Sequence, residues 1–457
     1  MKRAVFAALT LVAAGTAASA QDSDLDRIPS AAFQNAPPES APAAPAHGKY
    51  FLENDFAWSF EHGALAVPYP EPIPSRWSDR LSFDGVDQWA LSGNLTASYS
   101  DRFILSEADG VEFPSQSVRN DLREAYLTWE PVTQTYVEVG RINLRNGVAL
   151  GFNPTDFFRD RTAVSQASLD PSALREDRLG AAMVRIQTIW DGGSLSVVYA
   201  PKLEAPSPLF TGSGFTPDFD HTNAADRVML SANFEFADLS PQLLVYNASG
   251  HTKFGLDLSY PIGQSIIAYG EWSGGRAPDM VVDAIQFGER TGMLPPAAPI
   301  YLPTDPGRKF QNDLAVGASW TSAAKFTVNL EYHFHEAGFS KQDWRDWFAV
   351  GAGGSQEASE LWFLRGYASD QQIPMSQQQI FLRIDAPETI ARHLDVSGFV
   401  LADPYDGSML TQLAAFYDLS DSWSAGGYVS ANLGGKRSEW GSLPGAGSVI
   451  FEVQRFF

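Results

Sequence analysis

Apolar and polar residues alternate with a period of two along most of this chain. Over 325–335, Phe326, Val328, Leu330, Tyr332 and Phe334 fall on one face. Lys325, Thr327, Asn329, Glu331, His333 and His335 fall on the other. A helix would space its apolar residues three and four apart, so this segment predicts a strand with one polar face. Phe254, Leu256, Leu258 and Tyr260 alternate in the same way with Lys253, Asp257 and Ser259. Leu314, Val316, Ala318 and Trp320 alternate with Asp313 and Ser319.

The pattern predicts strands over 51–60, 76–83, 86–105, 117–130, 133–142, 178–190, 193–202, 225–237 and 240–248. It continues over 252–260, 264–272, 309–321, 324–335, 376–386, 392–402, 409–418, 423–432 and 446–457. Every second connection is short, among them Asp84-Gly85, Pro131-Val132, Asp191-Gly192, Pro261-Ile262-Gly263, Ser322-Ala323 and 387–391. Several intervening connections are long: 143–177, 203–224, 273–308 and 336–375. Short turns at one end and long loops at the other distinguish a membrane-crossing barrel from a soluble sandwich. The expected fold is therefore all-β, a transmembrane antiparallel up-and-down β-barrel of about 18 strands, an even number.

The chain ends set the expected compartment. Lys2 and Arg3 precede an apolar run from Ala4 to Ala14, and Ala18-Ser19-Ala20 is a small-x-small cleavage pattern. Residues 1–20 thus predict a secretory signal peptide cleaved near Ala20, since the run is too short for a spanning helix of roughly 20 residues. Residues 21–48, with Pro37-Pro38 and Ala41-Pro42-Ala43-Ala44-Pro45, predict a disordered periplasmic leader, leaving 49–457 for the barrel. Phe457 closes an alternating strand with Val449, Phe451 and Val453 on one face, and Arg455 interrupts that face. Such a strand resembles the insertion signal read by outer-membrane assembly machinery. Trp58, Trp129, Trp190, Trp320 and Trp423 fall near strand ends, where a bilayer boundary favours aromatic rings.

Composition narrows the chemistry. A formal charge of −22 argues against a nucleic-acid partner. With no cysteine there is neither a disulfide framework nor a thiolate site. No Gly-x-Ser-x-Gly stretch or distinctive Ser/His pairing is present, so a barrel enzyme is not expected, nor is a cofactor. His333 and His335 lack a third ligand nearby and are expected to be solvated at a rim. Asp403-Pro404-Tyr405-Asp406-Gly407 is expected to be a turn.

Three stretches resemble porin-like outer-membrane barrels of the alginate-export type. The first is Leu122-Arg123-Glu124-Ala125-Tyr126-Leu127 leading through Gly140-Arg141 to Gly147. The second is Asn153-Pro154-Thr155-Asp156-Phe157-Phe158. The third is Lys436-Arg437-Ser438-Glu439-Trp440-Gly441-Ser442-Leu443-Pro444. The resemblance implies a Gram-negative outer-membrane channel, passing small polar or anionic solutes or exporting a linear polysaccharide. Its surroundings would be outer-membrane lipid and lipopolysaccharide, with the assembly machinery as a partner during insertion. The alternative is a structural or adhesin-like barrel whose loops bind partners.

Candidate pore residues follow from charge and strand face. Segment 141–185 carries Arg141, Arg145, Arg159, Arg161, Arg175, Arg178 and Arg185 in an otherwise acidic chain. Long loops that fold inward narrow a pore, and arginine forks suit carboxylates and phosphates, so a constriction is one expectation. The other is that these arginines pair with the loop's own acids and fix it in place. The polar strand faces add Glu124, Tyr126, Glu138, Arg227, Lys253, Lys325, Glu331 and Arg383 as lumen candidates.

Overall fold

The computed structural model describes residues 48–70, 76–108, 118–164, 166–209, 214–236 and 239–457. The signal peptide expected over 1–20 and the leader up to residue 47 lie outside the described residues, as do the strand ends placed at 117 and 237. The first nine strands are β1 (Lys49–Glu61), β2 (Trp77–Ser92), β3 (Leu95–Ala108), β4 (Val118–Val132), β5 (Thr135–Ile142), β6 (Ala181–Trp190), β7 (Gly193–Ala200), β8 (Arg227–Phe234) and β9 (Gln242–Ala248). The second nine are β10 (His251–Ile262), β11 (Ile266–Ala277), β12 (Lys309–Thr321), β13 (Thr327–His335), β14 (Gln378–Ala391), β15 (Leu394–Ala402), β16 (Met409–Ser420), β17 (Trp423–Leu433) and β18 (Gly445–Phe456).

Each strand pairs antiparallel with its neighbours in sequence, and β18 pairs with β1, so an 18-stranded sheet closes on itself. Closure pairs the edges that an open sheet would leave as templates for aggregation. At the seam Phe51 lies opposite Phe456, and the Phe457 N–H donates to the Tyr50 carbonyl at 3.0 Å.

The period-two pattern becomes two faces. Leu330 is 55% exposed, whereas its neighbour Glu331 is 1% exposed. Phe56, Trp58 and Phe60 on β1, Val197 and Tyr199 on β7, and Leu413 on β16 are likewise exposed on the outward face. Glu53, Asp55, Ser196, Ser231 and Gln412 turn inward and are buried. Arg455 lies over the rings of Trp423 (5.3 Å) and Phe457 (5.0 Å), so its charge rests on aromatic faces.

The expected strand count and the asymmetry of connections hold, but several turns lie elsewhere. Asp84-Gly85 is not a turn: both residues sit inside β2, which runs on to a turn at Gly93-Asn94. The 20-residue strand expected over 86–105 was already too long for one that rises straight through a bilayer. The turn after β4 falls at Thr133-Gln134 and the one after β14 at Arg392-His393, where Gln134 and His393 take positive φ.

The long loops also contain helices. α1 (Pro171–Glu176) lies between β5 and β6, and α2 (Phe219–Thr222) between β7 and β8. α3 (Met280–Thr291) lies between β11 and β12, and α4 (Lys341–Gly351) and α5 (Ser355–Asp370) between β13 and β14. The start of α4 is legible locally: Ser340 caps the Gln342 and Asp343 N–H groups, and the Asp343 carboxylate accepts from the Ser340 N–H at 2.8 Å.

The pairing of β17 with β18 leaves no room for a side chain at Gly427. A Cβ at Gly427 would come within 2.0 Å of the Ile450 carbonyl oxygen across β17–β18. Gly427→Val is therefore expected to prevent the last two strands from pairing. Loss of the compact, heat-modifiable band on unheated SDS gels would report it, and a normal band would contradict the placement.

Candidate functional site

Loop 143–180 leaves β5, crosses the lumen and returns to β6. Gly147 opens the crossing with φ +91°, and a Cβ there would lie 2.5 Å from the Glu271 carboxylate, so only glycine fits. The next four backbone N–H groups point outward from the loop to two wall carboxylates. Those of Val148 and Ala149 donate to Glu271 on β11. Those of Leu150 and Gly151 donate to Glu331 on β13 at 2.7 and 2.9 Å. Successive N–H groups around an anion form a nest, here holding the protein's own carboxylates. Thr155 adds its hydroxyl to Glu271 at 3.1 Å. Tyr269 and His333 bond Glu331 at 2.7 and 2.8 Å.

Apolar packing fixes the next part of the loop. Phe157 stacks on Tyr246 with centroids 4.7 Å apart, in a cluster with Phe158, Met183, Met229 and Leu244. Farther along, Leu169 N–H donates to Gln412 on β16 at 3.1 Å, and Asp170 pairs with Arg383 on β14 at 2.8 Å. Since β14 is half-way round the ring from β5, the loop is tied to the opposite wall.

The arginines expected at a constriction divide by partner. Arg178, 1% exposed, grips Asp156 with two bonds of 2.8 and 3.0 Å, and Arg175 approaches the same carboxylate at 3.3 Å. Burial alone would raise the Asp156 carboxyl, but the two guanidiniums outweigh it and hold the group below its ordinary value. Arg161 pairs with Asp370 at the end of α5 at 2.8 Å. Arg145 is half-buried within electrostatic reach of Glu124 and Glu176. Arg159 lies over the Phe152 ring at 4.7 Å and donates to the Asn153 carbonyl.

The strand candidates also separate. Arg185 pairs with Glu138 at 3.1 Å. Arg227, on the inward face of β8, donates to the Thr222 carbonyl and lies over Phe158 at 4.6 Å. Glu124 accepts the Asn143 N–H at 2.9 Å, and Tyr126 packs against the Phe157–Met229 cluster. Lys253 shares the inward register of Asp257 on β10.

Two placements are corrected. Arg141 follows Gly140, pairs with the outward-facing Ala182 and shares the side of Val137 and Val139. Its guanidinium donates to the Gly180 and Pro217 carbonyls and lies 5.6 Å from the Phe219 ring. Lys325 is not on a strand but in the turn before β13, with φ +64°. The histidines differ from expectation as well. His333 is 1% exposed and His335 is buried, each bonded to a carboxylate, Glu331 and Asp313, rather than solvated.

Sequence reasoning missed the charged wall of β1 to β4. Arg80 pairs with Asp55 and Glu53, Arg102 binds Asp84 with two bonds of 2.9 and 3.0 Å, and Arg123 joins Asp84 at 2.8 Å. Arg123 also reaches Asp177 of the crossing loop at 2.8 Å. The signal was the alternation of Arg80, Ser82 and Asp84 with Leu81 and Phe83, hidden by placing a turn at Asp84.

Above the crossing loop, α3, α4 and α5 share an apolar core that includes Ile285, Trp344, Trp347, Leu361 and Trp362. Val67, Leu209 and Leu443 enter it from three other loops, so the cluster draws segments from around the ring into a cap over the long-loop mouth. Arg365 lies 5.3 to 5.5 Å from the Trp344, Trp347 and Trp362 rings. Its guanidinium is held by Ser442 at 2.8 Å and by the Glu439 carbonyl. Between cap and crossing loop lies a cavity of about 370 Å³ reached by Arg159, Arg175, Arg178 and Arg365.

Under the cap, the Ser376 hydroxyl accepts from the Trp344 indole at 2.8 Å. It also lies 2.8 Å from Asp403 and 2.7 Å from Glu439. A hydroxyl donates one proton, so with two carboxyls in contact one of them must carry its own. Burial and the neighbouring Asp403 push the Glu439 carboxyl up to about 8, against Ser376 and Arg365. The expected turn at 403–407 is present, with Gly407 N–H donating to the Asp403 carbonyl at 2.9 Å.

No family model matches this chain, and no curated protein does. Among solved structures, similar folds include an engineered protein described under asymmetric conductivity, at 11% identity and TM-score 0.39. Two engineered variants of the Rhodopseudomonas blastica porin match at 10% identity, with TM-scores of 0.40 and 0.39. Each alignment covers 90% of this chain and 99% of the other. The barrel assignment rests on this chain's own closed ring of strand pairings.

A carboxyl whose folded value is raised stabilises the fold when protonated, and that contribution fades as pH climbs through the folded value. The cap is therefore expected to lose stability as pH rises from 4.5, the group's ordinary value, to about 8. The near-UV circular dichroism of its stacked tryptophans would decline over that range. Glu439→Gln should flatten the decline, and an unchanged pH profile in that variant would refute the assignment.

Proposed function

We propose that this protein is a porin-like channel of a Gram-negative outer membrane, passing small polar or anionic solutes by diffusion past loop 143–180. The carrying observation is the two-sidedness of the closed ring. Large apolar side chains recur on the outward face around the ring while charged groups are buried inward. In water such a belt would be an aggregation surface. In a bilayer it meets hydrocarbon, and ring closure satisfies the backbone groups of the wall. Outer-leaflet lipopolysaccharide and phospholipid would surround it after cleavage near Ala20 and insertion by the assembly machinery.

Small solutes fit better than an exported polysaccharide. A threaded polymer would have to displace both the crossing loop and the cap. A second reading, a structural or adhesin-like barrel, draws support from the apolar core of that cap over the mouth. Single-channel recording on the purified mature protein separates the two. A stable conductance is expected for the channel. A folded, heat-modifiable barrel with none would favour the structural reading.

Arg145 and Arg159 are the loop cations without a carboxylate bond among the described residues. Reversing both, Arg145→Glu with Arg159→Glu, is expected to shift ion selectivity toward cations by a few-fold. Unchanged reversal potentials would remove them from the conduction path. Membrane placement has its own test. Leu330→Arg, on the outward mid-strand of β13, should lower stability in liposomes by about 2–4 kcal/mol. A far smaller loss would contradict lipid contact there.

A further inference from the structure

The cavity between the crossing loop and the cap carries an excess of cations. Four guanidiniums border it, from Arg159, Arg175, Arg178 and Arg365. Asp156 is already bonded by Arg178 and approached by Arg175. Glu439 also borders the cavity, and its raised value leaves it largely protonated at neutral pH. Neither Arg159 nor Arg365 has a carboxylate within ion-pair distance among the described residues. Their protein acceptors are the Asn153 carbonyl for Arg159, and the Ser442 hydroxyl and Glu439 carbonyl for Arg365.

Apolar side chains make up much of the rest of the wall, with Asn153, Ser369, Gln372 and Gln379 as its uncharged polar members. Phe152, Leu174, Ile373, Met375 and Leu443 face the same space. At about 370 Å³ the cavity is at the small end of ligand pockets, enough for one compact molecule and not for a chain of sugars. Guanidiniums held over aromatic rings are pre-oriented, so an arriving carboxylate meets a charge-assisted donor without having to order it.

We propose that this cavity is a binding subsite for a small monocarboxylate with an apolar body. The carboxylate is held by Arg159 and Arg365, and the hydrocarbon part rests against Phe152, Ile373 and Leu443. As a statement about transported solute this rests on the channel reading, but the binding claim stands alone. A free carboxylate on a hydroxyl-rich sugar would satisfy the arginines and leave the apolar wall facing polar groups. A neutral molecule of the same shape would leave the arginines unpaired.

The test is isothermal titration of the purified full-length mature protein in detergent. The probes are phenylacetate, its neutral counterpart 2-phenylethanol, acetate and galacturonate. Phenylacetate is expected to bind saturably, and the other three at least about tenfold more weakly, the scale of one charge-assisted bond. Arg159→Gln should weaken phenylacetate by about tenfold and leave 2-phenylethanol unchanged. Ile373→Trp, which fills the cavity, should abolish binding in a barrel that still shows heat-modifiable migration. Equal binding of 2-phenylethanol, stronger binding of galacturonate, or indifference to Arg159→Gln would overturn the proposal. Planar-bilayer recording with phenylacetate separates it from the channel reading. Binding without conductance sinks the channel and keeps the subsite, whereas conductance without binding does the reverse.

Discussion

The interior is organised around two carboxylates that face inward with no solvent to accommodate them. Glu271 and Glu331 are each 1% exposed, and an isolated buried carboxylate is among the least favourable groups a protein can hold. Their compensation comes from four successive backbone N–H groups of the loop between β5 and β6. Hydrogen bonds to charged groups are worth roughly 1.5–3 kcal/mol each, so the wall and the loop depend on each other. Removing the loop would strand two charges, and removing the carboxylates would strand a turn of backbone. The stacking of Phe157 on Tyr246, the clasp of Arg178 on Asp156 and the cavity beneath the cap all follow from where that turn is held.

Around this centre the wall is divided into sectors. Strands β1 to β4 carry alternating acids and arginines that neutralise one another across strands, the sheet's equivalent of helix-face pairing. Strands β6 to β9 carry an inward apolar patch, Met183, Val198, Met229, Leu244 and Tyr246, that receives the loop's phenylalanines. Strands β10 to β13 supply the carboxylates. A single loop touches all three, through Asp177, Phe157 and the 148–151 turn, so lumen shape is set by contacts spread over most of the ring.

Much of the barrel was legible in the sequence because its rule is local: alternation, turn residues and connection length. Where local signals conflicted, the reading slipped. Asp84-Gly85 has the chemistry of a hairpin turn, yet Asp84 is needed as the shared acceptor of Arg102 and Arg123, a requirement visible only once β2, β3 and β4 are aligned. Gly140, with φ +142°, precedes the register in which Arg141 faces outward, and simple alternation of polar residues does not reveal that. The arginine-rich loop was visible as chemistry, but its pairings were not. Arg161 meets Asp370 more than two hundred positions away, and Leu150 meets Glu331 at nearly that separation. The helices of the cap were partly announced by Ser340 and Asp343, but their burial depends on Val67, Leu209 and Leu443 arriving from other loops.

The seam between β1 and β18 imposes an order on assembly. The first strand of the ring pairs with β2 but gains its second partner only when the last residues of the chain are in place, since Phe457 itself bonds the Tyr50 carbonyl. By then loop 143–180 has to be on the inner side, because its partners on β11, β13, β14 and β16 belong to the wall that encloses it. Such pairings carry a large loop-closure entropy, which makes ring closure slow compared with forming any single hairpin. The loop's bonds to β11, β13, β14 and β16 thus tie the wall built by the second half of the chain to a segment from the first.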